Sequence, residues 1–370
     1  MIFPAVLALL VWAYLLAGHG RFWQAGPFLA EAGRADGPAV SVVVPARDEA
    51  PVIADSLRSL LAQDYPGRFE IVLVDDGSTD GTGDIARGFA DPRLRVLTGR
   101  ARPPGWSGKL WAVSQGVEAA TGEFLLLTDA DIEHQPGHLS ALVNKAETED
   151  LDLVSEMVAL NCESFAERAL VPAFVYFFAL LYPFARVNDP GNATAAAAGG
   201  TMLVRRAALA RIGGVAAVRG ALIDDVALAR AVKRGGRIWL GHSRLARSRR
   251  PYPGAADIWR MVARTAFVQL RFSWALLGLT VLGMALTWLV PPAATLFGHG
   301  AARLCGGLAW AGAAASYLPT LRRFGLSPLW APFLPLVAVF YMVATIGSAL
   351  DNARGRGVVW KRRVYAEKQA

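Results

Sequence analysis

The sequence predicts an α/β fold with a mostly parallel sheet, tied to a membrane by apolar helices, and three observations predict it. Short, largely apolar runs at 40–44, 70–74, 94–97 and 124–127 are bounded by turn residues and separated by stretches with helical spacing, the pattern of strands covered on both faces and joined by crossover helices. Two of these runs end in carboxylates, Val72-Leu73-Val74-Asp75-Asp76 and Phe124-Leu125-Leu126-Leu127 followed by Asp129-Ala130-Asp131. The 370 residues are 54% hydrophobic, too apolar for an ordinary soluble enzyme, yet charge runs throughout 38–272.

The first strand, 40–44, leads into Pro45-Ala46-Arg47-Asp48-Glu49. A helix follows, with Pro51 in its first turn and Ile53, Leu57, Leu60 and Leu61 at helical spacing, until Asp64-Tyr65-Pro66-Gly67 stops it. Strand 70–74 runs into Asp76-Gly77-Ser78-Thr79-Asp80-Gly81, which opens a helix reaching Phe89; strand 94–97 comes next. Ligands of such sheets bind beyond the carboxyl ends of the strands, where both acidic sites lie.

Gly105-Trp106-Ser107-Gly108-Lys109 opens a helix carrying Leu110, Val113 and Val117. A lysine in a first helical turn meets an already positive dipole, so Lys109 is read as touching a phosphate, with a merely solvated charge as the alternative. Strand alternation turns Asp129 and Asp131 to the same side, where they repel unless a divalent cation, Mg2+ or Mn2+, neutralises them and faces a phosphate-bearing substrate. Glu133 continues the series as a third oxygen ligand or as a solvated turn residue. Asp224-Asp225 begins a helix over 226–234 closed by Gly235-Gly236. The pair reads either as an N-cap or as a base kept ionised by the helix dipole while nearby anions raise its pKa.

Outside this core, 1–20 reads as an N-terminal membrane anchor, with a cleavable signal peptide as the rival that lacks a basic n-region. Three further apolar blocks, 274–290, 304–321 and 329–350, lie within a transmembrane region 273–350, and Pro291-Pro292, Pro332 and Pro335 mark places where those helices break. Arg322 and Arg323 fall on the cytoplasmic side if all three blocks span, but the basic tail 351–370 then falls outside, against the positive-inside rule. One block therefore re-enters, lies in the interface or pairs as a hairpin, or the rule fails. The aromatic segment 170–187, interrupted by Pro172 and Pro183, is read as an interfacial helix inside a cytoplasmic domain 38–272. A net charge of +8 fits anionic headgroups or substrates, and no basic stripe with interleaved aromatics suggests nucleic acid. Cys162 and Cys305 make no disulfide framework, and none of the five histidines has spacing that demands zinc.

These motifs resemble the family 2 glycosyltransferases over residues 40–235. The resemblance implies a GT-A type nucleotide-diphospho-sugar transferase fold, inverting transfer, a donor site that includes Pro45, Arg47, Glu49, Asp76, Lys109 and Asp129, and a metal held by Asp131 with Asp129. The residue two beyond the triplet, Glu133, joins the metal in polyprenyl-phosphate mannose synthases. Asp224-Asp225-Val226-Ala227-Leu228 is similar to the catalytic Glu-Asp-x-x-Leu, with Asp225 as base and Asp224 in place of Glu. Gly105–Val113, Leu180-Leu181-Tyr182-Pro183-Phe184, Val187-Asn188-Asp189-Pro190 and Ala221-Leu222-Ile223-Asp224-Asp225 resemble the hopene-associated subgroup, which implies a bacterial cytoplasmic-membrane enzyme of hopanoid biosynthesis. The Gln-x-x-Arg-Trp motif of processive members is absent, which argues for addition of one sugar; Arg264 or Arg271 takes its diphosphate role. The expected partners are a nucleotide-diphospho-sugar, a hopanoid-like or polyprenyl lipid acceptor and the membrane.

Overall fold

The computed structural model describes residues 1–33, 36–355, 358–360 and 363–365, the last two segments as backbone only. In chain order the principal elements begin with α1 (Ile2–Ala17), β1 (Val40–Ala46), α2 (Ala50–Leu61), β2 (Phe69–Asp75), α3 (Thr82–Arg87) and β3 (Leu94–Thr98). They continue with α4 (Gly108–Ala119), β4 (Phe124–Thr128), β5 (Ile132–His134), α5 (His138–Thr148), β6 (Leu153–Ala159), α6 (Phe165–Leu181) and α7 (Phe184–Val187). Next come β7 (Thr201–Arg205), α8 (Arg206–Arg211), α9 (Asp224–Lys233), β8 (Ile238–Ser248) and α10 (Ala255–Gln269), and last α11 (Trp274–Met284), α12 (Val290–Phe297), α13 (Gly300–Arg323) and α14 (Leu334–Ala353). They fall into two compact units.

The first unit, residues 26–161 and 186–251, carries an eight-stranded sheet in the order β3-β2-β1-β4-β7-β6-β8-β5. Strands β3, β2, β1 and β4 are parallel. The sheet is mixed rather than parallel throughout, because β7 runs antiparallel to both β4 and β6, and β5 antiparallel to β8. Alternate residues divide between the two faces. Val42, Val44, Ile71, Leu73, Phe124 and Leu126 join Ile53 and Leu57 of α2 and Leu139 and Leu142 of α5 in one core. Val72 and Val74 meet Ala112 of α4 on the other. Covering both faces removes most side chains of the central strands β1, β2 and β4 from water, which is why those runs are apolar without alternation.

The chain reaches the sheet edge differently from the expectation at the second acidic site. Strand β4 ends at Thr128, and Asp129, Ala130 and Asp131 form a turn closed by Ile132 N–H donating to Asp129 O at 3.3 Å. Strand alternation therefore does not govern Asp129 and Asp131, and Glu133 belongs to β5, a separate strand.

The second unit, residues 1–25, 162–185 and the described residues from 252 onward, is mainly helical, with one short antiparallel strand pair at 358–360 and 363–365. The aromatic segment expected at 170–187 forms most of α6 and α7. Ser164 and Glu167 close α6 with a reciprocal capping box, Tyr176 Oη bonds Ser316 Oγ at 2.6 Å, and Tyr341 Oη donates to Leu170 O at 2.8 Å. Trp12 of α1 donates to Thr287 O at 2.9 Å and meets Trp288 edge-on. Among the described residues two stretches are long and apolar enough to cross a membrane, Trp274–Phe297 and Pro328–Ala353; α1 is shorter. The 304–321 block lies in α13, which is 24 residues long but diluted by glycine, alanine, serine and arginine. Pro291-Pro292 does not end the helical path as expected. A π-helical turn over Ala285–Leu289 precedes it and sets both prolines at the start of α12, where they remove no hydrogen bond the helix needs. Pro332 and Pro335 do mark a change, from a 3-10 turn over Pro328–Phe333 into α14. The basic tail call falls largely outside the described residues, since 356, 357, 361, 362 and 366–370 are not described and no side chain beyond 355 is.

The turn that feeds β4 leaves no room for a side chain. A Cβ on Gly122 would stand 2.4 Å from Ser41 N and 2.6 Å from Val40 C, both backbone atoms of β1. We expect Gly122→Ala to force the two strands apart and to cost about 1–3 kcal/mol, read as a lowered midpoint in chemical denaturation.

Candidate functional site

Lys109 enters the first turn of α4 with a cap supplied by Ser107, whose hydroxyl accepts Leu110 N–H at 3.3 Å. Its ammonium lies 2.9 Å from Asp129 Oδ1 and 3.2 Å from Asp224 Oδ2. Asp225 completes the group. Its Oδ2 accepts Gly199 N–H at 2.9 Å and its Oδ1 accepts Val226 N–H at 2.7 Å. Neither aspartate is the N-cap of α9, a position held by Ile223 without a side-chain bond. The capping reading is therefore set aside: Asp224 turns to Lys109 and Asp225 to the Gly199 backbone. Gly199 lies close against the group, since a Cβ there would stand 3.3 Å from Asp225 Oδ2 and 3.4 Å from Lys109 Nζ. A cavity beside the group is lined by Pro45, Thr128 and Gly199 together with Lys109, Asp129 and Asp224.

A second group forms around Asp131. Arg250 Nε donates to its Oδ2 at 2.8 Å, Ser248 Oγ at 3.3 Å, and Arg250 Nη2 reaches Glu49 Oε1 at 2.7 Å. Arg250 thus ties the loop after β1 to the Asp129–Asp131 turn. That loop is also laced to the one after β2: Asp48 N–H donates to Ser78 Oγ, Glu49 N–H to Thr82 Oγ1 and Ala50 N–H to Asp80 Oδ2. Arg47 and the buried Asp76 pair at 3.9 Å at the same edge. Of the sequence candidates, Pro45, Lys109, Asp129, Asp224 and Asp225 are brought together, and Glu49 joins Asp131. Glu133 stands apart, its carboxylate taken by Arg247 at 2.9 Å and Arg249 at 3.5 Å. Arg264 and Arg271 belong to the helical unit, on α10 and just beyond it. Sequence reasoning missed Gly199 and Arg250. Arg249-Arg250-Pro251 at the end of β8 was the available signal for the second.

The electrostatics follow from three carboxylates sharing one ammonium. Burial disfavours the Lys109 charge, but Asp129 and Asp224 outweigh it and hold the amine above its ordinary range. Burial pushes the Asp129 carboxyl up, against Lys109 and with the help of the Asp131 and Asp224 charges. Burial and the Asp224 charge push Asp225 up to about 6, against Lys109 and its two backbone donors. Among the described residues no three His, Cys, Asp or Glu side chains are arranged to hold a metal ion. The expected set of three fails because Glu133 faces Arg247. The donors that fit a hard cation are the carboxylates of Asp129 and Asp131, close enough that each feels the other's charge, in a group with fewer cations than carboxylates.

Comparison with known proteins follows this geometry. The model of "Glycosyl transferase family 2" matches residues 41–213. An N-acetylglucosaminyltransferase of Bradyrhizobium elkanii is 30% identical over 129 residues, 34% of this chain and 69% of that protein. A dodecaprenyl-phosphate galacturonate synthase of Rhizobium johnstonii is 30% identical over 120 residues, 31% of this chain and 34% of that protein. The chain spans only 23–37% of the length of three other curated relatives it matches. In structure it is similar to the mannosyltransferase PcManGT of Pyrobaculum calidifontis, solved in complex with GDP-Man and Mn2+, with a TM-score of 0.56 and 21% identity over 94% of this chain and 99% of that one. The fold is accordingly of the GT-A nucleotide-sugar transferase type.

The charge arrangement makes a prediction for the site itself. Removing the ammonium in Lys109→Met takes away the charge that stabilises the Asp225 carboxylate, so the Asp225 midpoint should move above about 6 in a carboxyl 13C NMR titration. An unchanged midpoint would show that the ammonium does not act on Asp225.

Proposed function

Because the chain belongs to glycosyl transferase family 2, we propose that it moves one sugar from a nucleotide-diphospho-sugar to a lipid acceptor, with inversion at the anomeric carbon. The observation that carries this reading is Asp225: a carboxylate fixed by Gly199 and Val226 backbone donors, raised to about 6, beside Lys109. A carboxylate with that pKa is ionised at neutral pH yet basic enough to take the proton of an attacking hydroxyl. Asp225 is the base in this reading, and Asp224 holds Lys109 in place. Arg47, Glu49 and Asp76, on the laced loops after β1 and β2, hold the donor nucleotide. Lys109 lies where it can meet a donor phosphate once its carboxylate partners are engaged elsewhere.

Asp131 and Asp129 are the proposed ligands of a divalent cation, Mg2+ or Mn2+, which when bound neutralises charge on the departing nucleoside diphosphate. Arg250 then has to release Asp131 or share it. Glu133 is a weaker ligand candidate because two arginines occupy it. Arg264 and Arg271 are proposed as diphosphate contacts. Asp131→Ala should weaken metal-dependent donor binding in calorimetry; an unchanged metal requirement would remove Asp131 from this role.

A lipid acceptor is supported by the two stretches apolar enough to cross a membrane and by the likeness of the 105–113, 180–190 and 221–225 segments to the hopene-associated subgroup. We assign the chain to the bacterial cytoplasmic membrane as a multi-pass protein, with the sheet unit on the cytoplasmic side and a hopanoid-related acceptor. A second reading, synthesis of a polyprenyl-phosphate sugar, is favoured by the likeness to a dodecaprenyl-phosphate galacturonate synthase. Its acceptor is a phosphate already ionised at neutral pH, so Asp225 would matter less. A non-catalytic nucleotide-binding scaffold would not need Asp225 at all.

Membranes carrying the wild type or Asp225→Asn, given a panel of radiolabelled nucleotide sugars with and without chelator, separate these readings. We expect label in an extractable triterpenoid lipid with the wild type and metal, and a loss of about a hundredfold to ten-thousandfold in the mutant. Label in an acid-labile polyprenyl phosphate, still formed by the mutant, would select the second reading.

A further inference from the structure

Behind the acidic turn, on the core side of the sheet unit, lies a line of polar side chains with no part in the chemistry above. His138 Nε2 is 2.5 Å from Glu156 Oε2, the two Nδ1 atoms of His138 and His134 are 2.8 Å apart, and His134 Nε2 is 3.2 Å from Thr128 Oγ1. Glu156 and His138 are 0% exposed and His134 is 3% exposed. Three strands and a helix supply them: Thr128 ends β4, His134 ends β5, His138 begins α5 and Glu156 is mid-β6.

The direction of this line is fixed at one end. Thr128 Oγ1 donates its proton to the Gly200 carbonyl at 2.8 Å. The hydroxyl therefore accepts from His134, whose Nε2 must carry hydrogen. One further hydrogen lies between the two Nδ1 atoms and one between His138 and Glu156. Three hydrogens distributed over two imidazoles and a carboxyl give a net charge of zero wherever each proton sits. A neutral line is the arrangement that burial permits at least cost, and among the described residues only Glu156 Oε1 in it lacks a hydrogen-bond partner.

The Gly200 carbonyl also accepts the Asp129 N–H at 3.2 Å, and the neighbouring Gly199 N–H donates to Asp225. We propose that His134, His138 and Glu156 are positioning residues for both acidic centres, holding the Thr128 hydroxyl on Gly200 and so setting the Gly199-Gly200 backbone between Asp129 and Asp225. This rests on the transferase reading for its kinetic consequence, and not for its geometry.

Glutamine at 156 presents an N–H to His138 and so keeps the hydrogen on His134 Nε2 and the bond to Thr128 in the same direction. Leucine leaves His138 Nε2 buried without a partner, and Thr128→Val cuts the link to Gly200. In the full-length protein Glu156→Gln should keep kcat within about threefold of the wild type, whereas Glu156→Leu and Thr128→Val should lower it by about tenfold with donor KM little changed. Equal impairment by glutamine and leucine would overturn the proposal, as would loss of melting temperature alone with kcat per folded molecule intact. Imidazole 15N spectra and the backbone amides of Asp129 and Gly199 give a readout without turnover. The expected result is hydrogen on His134 Nε2 and amide shifts in the leucine but not the glutamine variant. Hydrogen on Nδ1 alone, or unmoved amides in Glu156→Leu and Thr128→Val, would overturn it. Absence of transfer by the wild type with these spectral results would instead refute the transferase reading and leave the positioning line standing.

Discussion

Three carboxylates gathered round one half-buried ammonium set the terms for the rest of the sheet unit. Asp129, Asp224 and Asp225 come from a turn and a helix start far apart in sequence, and Lys109 from a third element. Holding them together costs each charge part of its solvation, and the carboxylates outnumber the ammonium three to one. That excess of negative charge is what the proposed divalent cation would offset. Gly199 and the two backbone N–H groups on Asp225 belong to the same constraint, because a Cβ at 199 would come close to both Asp225 Oδ2 and Lys109 Nζ.

Order around this group is supplied by backbone and by a few long side chains. Arg250 spans from Glu49 to Asp131, joining a loop at the first strand to the acidic turn. The loops after β1 and β2 hold each other through Asp48, Ser78, Asp80 and Thr82. Rigid placement of this kind is what charge stabilisation requires, since dipoles that must reorganise during reaction forfeit most of their effect.

The half of the sheet that was legible in sequence is the half built by local rules. Runs such as Val40–Ala46 and Phe124–Thr128 are apolar because helices cover both faces, and their acidic ends announce the ligand edge. The reversal at β7 was hidden, since the five residues Thr201–Arg205 follow an alanine-rich stretch whose pattern does not separate strand from loop, and pairing direction is a tertiary property. Glu133 does not continue the line of β4 because the turn over 129–132 separates that strand from β5. Arg250 escaped notice for a related reason: its partners lie 119 and 201 residues away. The change of helix type at Pro332 and Pro335 was readable from the prolines, but the π-helical turn that precedes Pro291-Pro292 leaves no local mark.

Asp225, poised by its neighbours, is the centre of the account, and the dependence of kcat/KM on pH tests it most directly. With a saturating divalent cation, measured from about pH 5 to about pH 8, the wild type should rise through a single ionisation near 6 and then level off, because only the carboxylate form accepts a proton. The residual rate of Asp225→Asn should lack that limb. A flat wild-type profile over this range, or a limb that survives in the mutant, would mean that another group takes the proton and that the carboxylate cluster serves binding alone.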